Sequence, residues 1–261
     1  IIYTSHSPYF IDLHHFDQIR MIRKIPSSDS LAPQSVVARF SLEHAKEKIA
    51  KVCKVDPDVF SRDSFRARAI PIMNTIVSEG FFTDVVVVVE GLSEVGILWK
   101  LQEIMKKNWS RLGIVIVPAG GKNNIDRPVV IFQGLSIPTY FIFDADSHLK
   151  GKGGKEKDAR NRNHRYLRLA NVPIEDFPDT QVHKTWAVFK DTLEGILKNE
   201  LGDKTFLFIQ KEVASELGYD DMNRVNKNIE GAARFIELIY KKRYRIPTLE
   251  EIIEKITRLR N

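Results

Sequence analysis

Five consecutive valines, Val85 to Val89, constrain this chain more than any other feature. β-branched side chains favour an extended, pleated backbone, and an unbroken apolar run predicts a strand buried on both faces. A second such run is Tyr140-Phe141-Ile142-Phe143. Each ends in acid: Glu90-Gly91-Leu92-Ser93-Glu94 follows the first and Asp144-Ala145-Asp146 the second. Strands of this kind belong to parallel sheets with helices above and below, and ligands collect beyond the carboxyl ends of their strands. Glu90 and Glu94 are one helical turn apart and can face one cleft, with Gly91 allowing a sharp turn between them. Asp144 and Asp146 alternate along an extended segment and can project to one side. Four carboxylates there repel one another unless a cation sits among them, and hard oxygen donors suit Mg²⁺ or Mn²⁺. Helix capping accounts for Ser93 or Asp146 singly. It accounts poorly for the whole set.

The surrounding pattern extends the same architecture. After the valine strand come a helix from Ser93 to about Lys107, a strand at Ile114-Val115-Ile116-Val117, the turn Ala119-Gly120-Gly121-Lys122 and a helix around 124–134. The strand at 139–143 is followed by a basic insertion and helix over about 150–171, then a strand at 185–189 and a helix from Thr192. This alternation predicts an α/β fold with a doubly wound, mainly parallel sheet flanked by helices. Beyond Thr205 the periodicity is helical throughout, at 206–217, 226–242 and 248–260. Upstream, Ser41-Leu42-Glu43-His44 can cap a helix reaching about Val52. A second helix is expected over about 57–77, kinked at Pro71. Four regions result: 1–40, a helical connector at 41–83, the sheet domain at 84–204 and a helical extension at 205–261.

With 261 residues the chain can bury a substantial core. No apolar run is long enough to span a membrane and no signal-peptide pattern opens the chain. The single cysteine, Cys53, excludes an intrachain disulfide and suits a reducing cytoplasm. Cys53 has no Cys or His nearby in sequence and reads as buried filler. The net charge of +6 favours a polyanionic partner. Most of the excess lies in Lys150-Gly151-Lys152-Gly153-Gly154-Lys155-Glu156-Lys157 and in Arg160, Arg162, His164, Arg165 and Arg168. Such a run is usually a solvated face. Here it directly follows the acidic pair, so Lys155, Arg160, Arg162 and Arg165 are candidates for contact with DNA phosphates.

The glutamate motif after the first strand and the D-x-D motif after the third, with a Gly-Gly turn between, resemble the Toprim domain over roughly residues 84–201. Toprim domains occur in topoisomerases, bacterial primases and several nucleases and use divalent metal at phosphodiester bonds. Separately, Ile1-Ile2-Tyr3-Thr4 reads as a strand, followed by Thr4-Ser5-His6-Ser7-Pro8-Tyr9-Phe10 and a helical start at Ile11-Asp12. This resembles the switch-histidine segment of ATP-binding-cassette ATPases of the chromosome-maintenance type. No G-x-x-x-x-G-K-[ST] phosphate loop accompanies it. Residues 1–40 therefore read as the tail of an ATPase, with ATP bound only by a longer protein.

The two together resemble the OLD (overcoming lysogenization defect) family of nucleases. That resemblance implies a divalent-metal-dependent DNA endonuclease acting by a two-metal mechanism, with a place in phage defence. It implies Glu90, Glu94, Asp144 and Asp146 as metal ligands, with Glu90 and Asp144 central to catalysis. It adds a further acid, here Glu194 in Thr192-Leu193-Glu194-Gly195, which by itself reads equally well as a solvent-facing helix residue. It implies a catalytic lysine late in the chain, for which Lys227 is the candidate and Lys122 and Lys155 are rivals. DNA and a helicase are the implied partners, with self-association through the ATPase. Another Toprim enzyme, a primase or topoisomerase fragment, is the first alternative. A non-catalytic, Mg²⁺-organised DNA-binding module is the second. Tyr140 lies inside a strand and reads as core, so no tyrosine stands out for a covalent link to DNA.

Overall fold

In the computed structural model, residues 2–11, 13–25, 32–69, 73 and 75–260 are described. Two short 3₁₀ segments, Pro8–Phe10 and Leu13–Gln18, precede an antiparallel strand pair, β1 (Arg20–Ile25) and β2 (Gln34–Arg39). Three helices follow: α1 (Leu42–Cys53), α2 (Arg62–Ala69) and α3 (Thr75–Ser78). The sheet region runs β3 (Val85–Val89), α4 (Leu92–Ile104), β4 (Ile114–Pro118), α5 (Asp126–Gly134), β5 (Thr139–Asp144), α6 (Gly154–Ala170), β6 (Gln181–Val182), β7 (Trp186–Phe189) and α7 (Leu193–Leu201). It closes with α8 (Asp203–Glu216), α9 (Ile229–Lys241) and α10 (Pro247–Arg258). No helix among the described residues is long and apolar enough to cross a membrane.

The sheet order is β4-β3-β5-β7-β6, with β4, β3, β5 and β7 parallel. The two-residue β6 runs antiparallel along the edge. All five valines of β3 are fully buried. Val85, Val87 and Val89 pack on the layer built from α4 and α7 to α10, and Val86 and Val88 on the layer of α1, α5 and α6. That alternation is why an unbroken run suits a central parallel strand. Burying each such side chain stabilises the fold by roughly 1.5–3 kcal/mol.

Local signals set several boundaries. The Ser41 side chain accepts from the His44 N–H and starts α1, as the capping pattern suggests. Gly96 lets α4 meet α9 closely, since a Cβ there would lie 2.3 Å from the Ile229 carbonyl oxygen.

Three expectations differ from the structure. The helix foreseen at about 57–77 is broken into a 3₁₀ turn at Pro57–Val59, then α2 and α3; Pro71 lies outside the described residues. Ser61 interrupts it, because its hydroxyl accepts from the Ser64 N–H, the local bonding that starts a new helix. Residues 2–4 form no strand, since none of the described residues pairs with them, and Ile1 is not described. At the expected helical start Asp12 is not described, and Leu13–Gln18 is 3₁₀ in character.

Candidate active site

β3 and β5 are parallel neighbours, so their acid motifs leave the sheet at the same edge. Glu90 Oε1 accepts from the Asp144 N–H at 3.1 Å, which ties the two strand ends together. Asp144 Oδ1 accepts from the Leu193 N–H at 3.1 Å, at the first turn of α7. Glu94 lies in the first turn of α4 and its Oε2 accepts from the Gly91 N–H at 3.2 Å. Gly91 itself is extended, with φ −154°, a conformation open to any residue, so the sharp turn expected there is not what places Glu94.

Glu90 and Asp144 are each only 9% exposed. Burial is the main cause that pushes the Glu90 carboxyl up to about 7, and Glu94 and Asp146 push the same way. Burial likewise raises Glu94. It drives Asp144 well above the usual carboxylate range, with Glu90 and Glu94 adding to it. Lys122 opposes the shift in all three. These directions are those of carboxylates short of positive charge.

Asp146 is fully buried and adopts left-handed backbone angles, φ 54° and ψ 44°. Its oxygens accept from Lys122 Nζ at 2.8 and 2.7 Å, and Oδ2 also accepts from Arg162 Nη2. Lys122 follows Gly120 and Gly121, whose φ values of +73° and +139° favour glycine. The Gly121 N–H donates to the Glu90 carbonyl at 2.9 Å, pinning this turn to the end of β3. The Tyr166 hydroxyl donates to the Lys122 carbonyl. Lys122 is thus the lysine rival that the fold brings against the acids.

The other candidates are placed differently. Glu194 pairs with Lys198 at 2.8 Å on a half-exposed helix face. Lys227 is exposed at the end of a 3₁₀ segment, Met222–Lys227, that abuts the start of α4 through a Ser93 hydroxyl bond to the Asn226 carbonyl. Lys155 is exposed on α6. Arg160, half-exposed, lies 3.5 Å from Asp176. Arg162 is 5% exposed and committed to Asp146, and Arg165 turns inward to Asp126 at 3.4 Å. Arg162 and Arg165 therefore do not offer their charge to a DNA backbone. Arg162 lies on the buried face of α6 with Ala159, Asn163, Tyr166 and Leu167, and Arg165 stands beside that face, partly exposed.

Asp191, between β7 and α7, went unread in the sequence. Its Oδ1 accepts from the His148 N–H at 3.1 Å and meets the His148 ring, and its carbonyl accepts from the Asp146 N–H at 3.0 Å. The signal was its place after an apolar strand, the position that marked Glu90 and Asp144.

Among the described residues no three His, Cys, Asp or Glu side chains close round one point as an ion would require. Glu90 and Asp144, both buried, and Glu94, partly buried, instead line one edge of the sheet, and their donor chemistry fits a hard divalent cation. A pH test follows. A carboxyl raised from 4.5 to about 7 contributes stability below about pH 4.5 that is lost as pH rises through 7. Glu90→Gln removes that loss, worth up to about 3 kcal/mol. In EDTA the variant is expected to melt several degrees above the parent at pH 8, with the gap closing by pH 5. A gap unchanged between the two pH values in scanning calorimetry would contradict the raised carboxyl.

Residues 81–146 match the family model described as "Overcoming lysogenization defect protein-like, TOPRIM domain". Among solved structures the chain is similar to the C-terminal region of the Xanthomonas campestris pv. campestris OLD protein, with 19% identity, 69% of this chain and 95% of that chain covered, and a TM-score of 0.46. It is also similar to the C-terminal region of the Burkholderia pseudomallei OLD protein, with 21% identity, coverage of 69% and 100%, and a TM-score of 0.47. No curated protein matches it. The family match takes in β3, β4, β5 and both acid motifs. Over residues 81–146, therefore, the chain is similar to an OLD-like Toprim domain.

Proposed function

We propose that this chain is a divalent-cation-dependent endonuclease that hydrolyses DNA phosphodiester bonds. The observation that carries the reading is the placing of Glu90, Glu94 and Asp144 at one edge of the sheet, where the Asp144 N–H donates to Glu90 Oε1. Those three residues would hold the cation. Bound there, it supplies Lewis-acid polarisation of the phosphoryl oxygens and a more acidic water. The chain's own groups do the rest. The Asp144 and Leu193 N–H groups fix the Glu90 and Asp144 carboxylates in place. Lys122, beside the acids, and Lys227, near the start of α4, offer positive charge to non-bridging phosphate oxygens. The switch-histidine resemblance around His6 extends the proposal to a nuclease coupled to an ATPase in a longer protein.

The DNA backbone would lie along Lys152, Lys155 and Lys157, which are exposed just beyond β5. Reversing these three to Glu is expected to weaken DNA binding. The slope of log affinity against log salt should flatten by about 0.9 for each phosphate no longer neutralised. An unchanged slope in fluorescence anisotropy would make the run a solvated face only.

Nicking of supercoiled plasmid with Mn²⁺, Mg²⁺ or EDTA tests the function itself. Cation-dependent nicking is the expected result. DNA association without cleavage would instead favour a binding module, and relaxation or nucleotide incorporation another Toprim enzyme.

A further inference from the structure

Asp146 presents a conflict. It stands at the same sheet edge as the other acids, yet both of its oxygens are taken by cationic side chains of the protein. The two cations differ in freedom. Arg162 is 5% exposed and packed into the buried face of α6. The Lys122 side chain is 43% exposed and extends from a fixed base: the Tyr166 hydroxyl holds its carbonyl, and the Gly121 N–H holds the preceding turn to Glu90. Its ammonium is a compact charge on a flexible stem with several rotatable bonds. Lys122 can therefore leave Asp146 without disturbing the backbone, whereas Arg162 cannot.

From this geometry we propose that Lys122 sets the affinity of the site for divalent cations. Its ammonium is a built-in counter-ion that must withdraw from Asp146 before a cation can settle among the acids. The inference rests on reading Glu90, Glu94 and Asp144 as a cation site. An ammonium held at Asp146 and a divalent ion among Glu90, Glu94 and Asp144 stand at one sheet edge and repel each other, so the two oppose. Arg162 stays behind and keeps Asp146 paired. The released Lys122 remains tethered at the rim, where a phosphate oxygen of bound DNA can receive it.

Titration calorimetry with Mn²⁺ on the 261-residue chain tests this. Lys122→Met removes the competing charge and keeps the length of the side chain. It is expected to bind Mn²⁺ roughly fivefold more tightly than the parent, about what loss of one competing, partly exposed ion pair allows. Lys122→Arg keeps a cation in place and is expected to stay within about twofold of the parent. Lys122→Gln repeats the test with a polar side chain. Equal or weaker Mn²⁺ binding by the Met and Gln variants overturns the proposal. So does failure of both to fold, which would make Lys122 a structural residue, and so does the absence of Mn²⁺ binding from every form. Plasmid nicking by the parent separates this from the nuclease reading. Tighter binding without nicking sinks the nuclease alone, and nicking with unchanged Mn²⁺ affinity sinks the role of Lys122 alone.

Discussion

Asp144→Asn is expected to lower cation-dependent nicking by roughly 10³-fold or more, the scale of losing a group that stabilises transition-state charge. Asn is the informative replacement. It keeps an oxygen where Asp144 Oδ1 accepts from the Leu193 N–H, so the start of α7 retains its partner. Alanine would remove that bond and confuse lost chemistry with a loosened helix. Asn also removes one negative charge from a buried group whose carboxyl is raised by burial, by Glu90 and by Glu94. In EDTA at pH 8 the variant should therefore melt no lower than the parent, because a neutral side chain is less costly to bury among carboxylates. The two readouts together are specific: activity falls while stability holds or rises. Nicking at the parent rate in saturating Mn²⁺ would remove Asp144 from the machinery. A large fall in melting temperature would show that its main work is structural.

The parts of this fold that were legible in the sequence are those where burial leaves no choice of face. Val85 to Val89 and Tyr140 to Phe143 are packed on both sides, so their composition alone marks them as central strands, and the acids that end them inherit a place at one edge. Elements with weaker burial were not legible. β2 is almost wholly exposed, and β1 mixes Arg20, Arg23 and Lys24 with its apolar residues, so no clean alternation announces the strand pair. β6 is two residues long and depends on pairing with β7, which only tertiary structure supplies. At the site, the positions of Glu90 and Asp144 followed from strand ends, and that of Glu94 from the helix that begins just after the first of them. The engagement of Asp146 did not, because it depends on Lys122 from the turn after β4 and Arg162 from the middle of α6. Charge patterning treats basic residues as a group, whereas a helix sorts them by face. A trace of that sorting was readable: Ala159, Tyr166 and Leu167 mark one side of α6, and Arg162 falls on it.

That sorting gives the largest stability effect expected of any basic residue on α6. Arg162→Ala should destabilise the protein by about 3–5 kcal/mol, the usual result of removing one partner from a buried ion pair. At about 2–4 °C per kcal/mol for a chain of this size, the melting temperature should fall by roughly 10 °C. The reason lies on the acid side. Asp146 is fully buried with a left-handed backbone, and its N–H is held by the Asp191 carbonyl at 3.0 Å, so it has no path to solvent. Without Arg162 its charge is left to Lys122 alone, whose side chain is 43% exposed. The Ala variant also empties the buried space that the arginine stem fills. Arg160→Ala, two residues earlier on the same helix, is the internal control. Its partner Asp176 is an exposed surface acid 3.5 Å away, and pairs of that kind contribute at most about 1 kcal/mol. If the two variants melt within about 2 °C of each other, α6 is not sorted as described, and Arg162 returns to the surface as a candidate for DNA. If Arg162→Ala alone collapses, the basic run divides into a buried half that builds the site and an exposed half, Lys152, Lys155 and Lys157, that remains free to meet a polyanion.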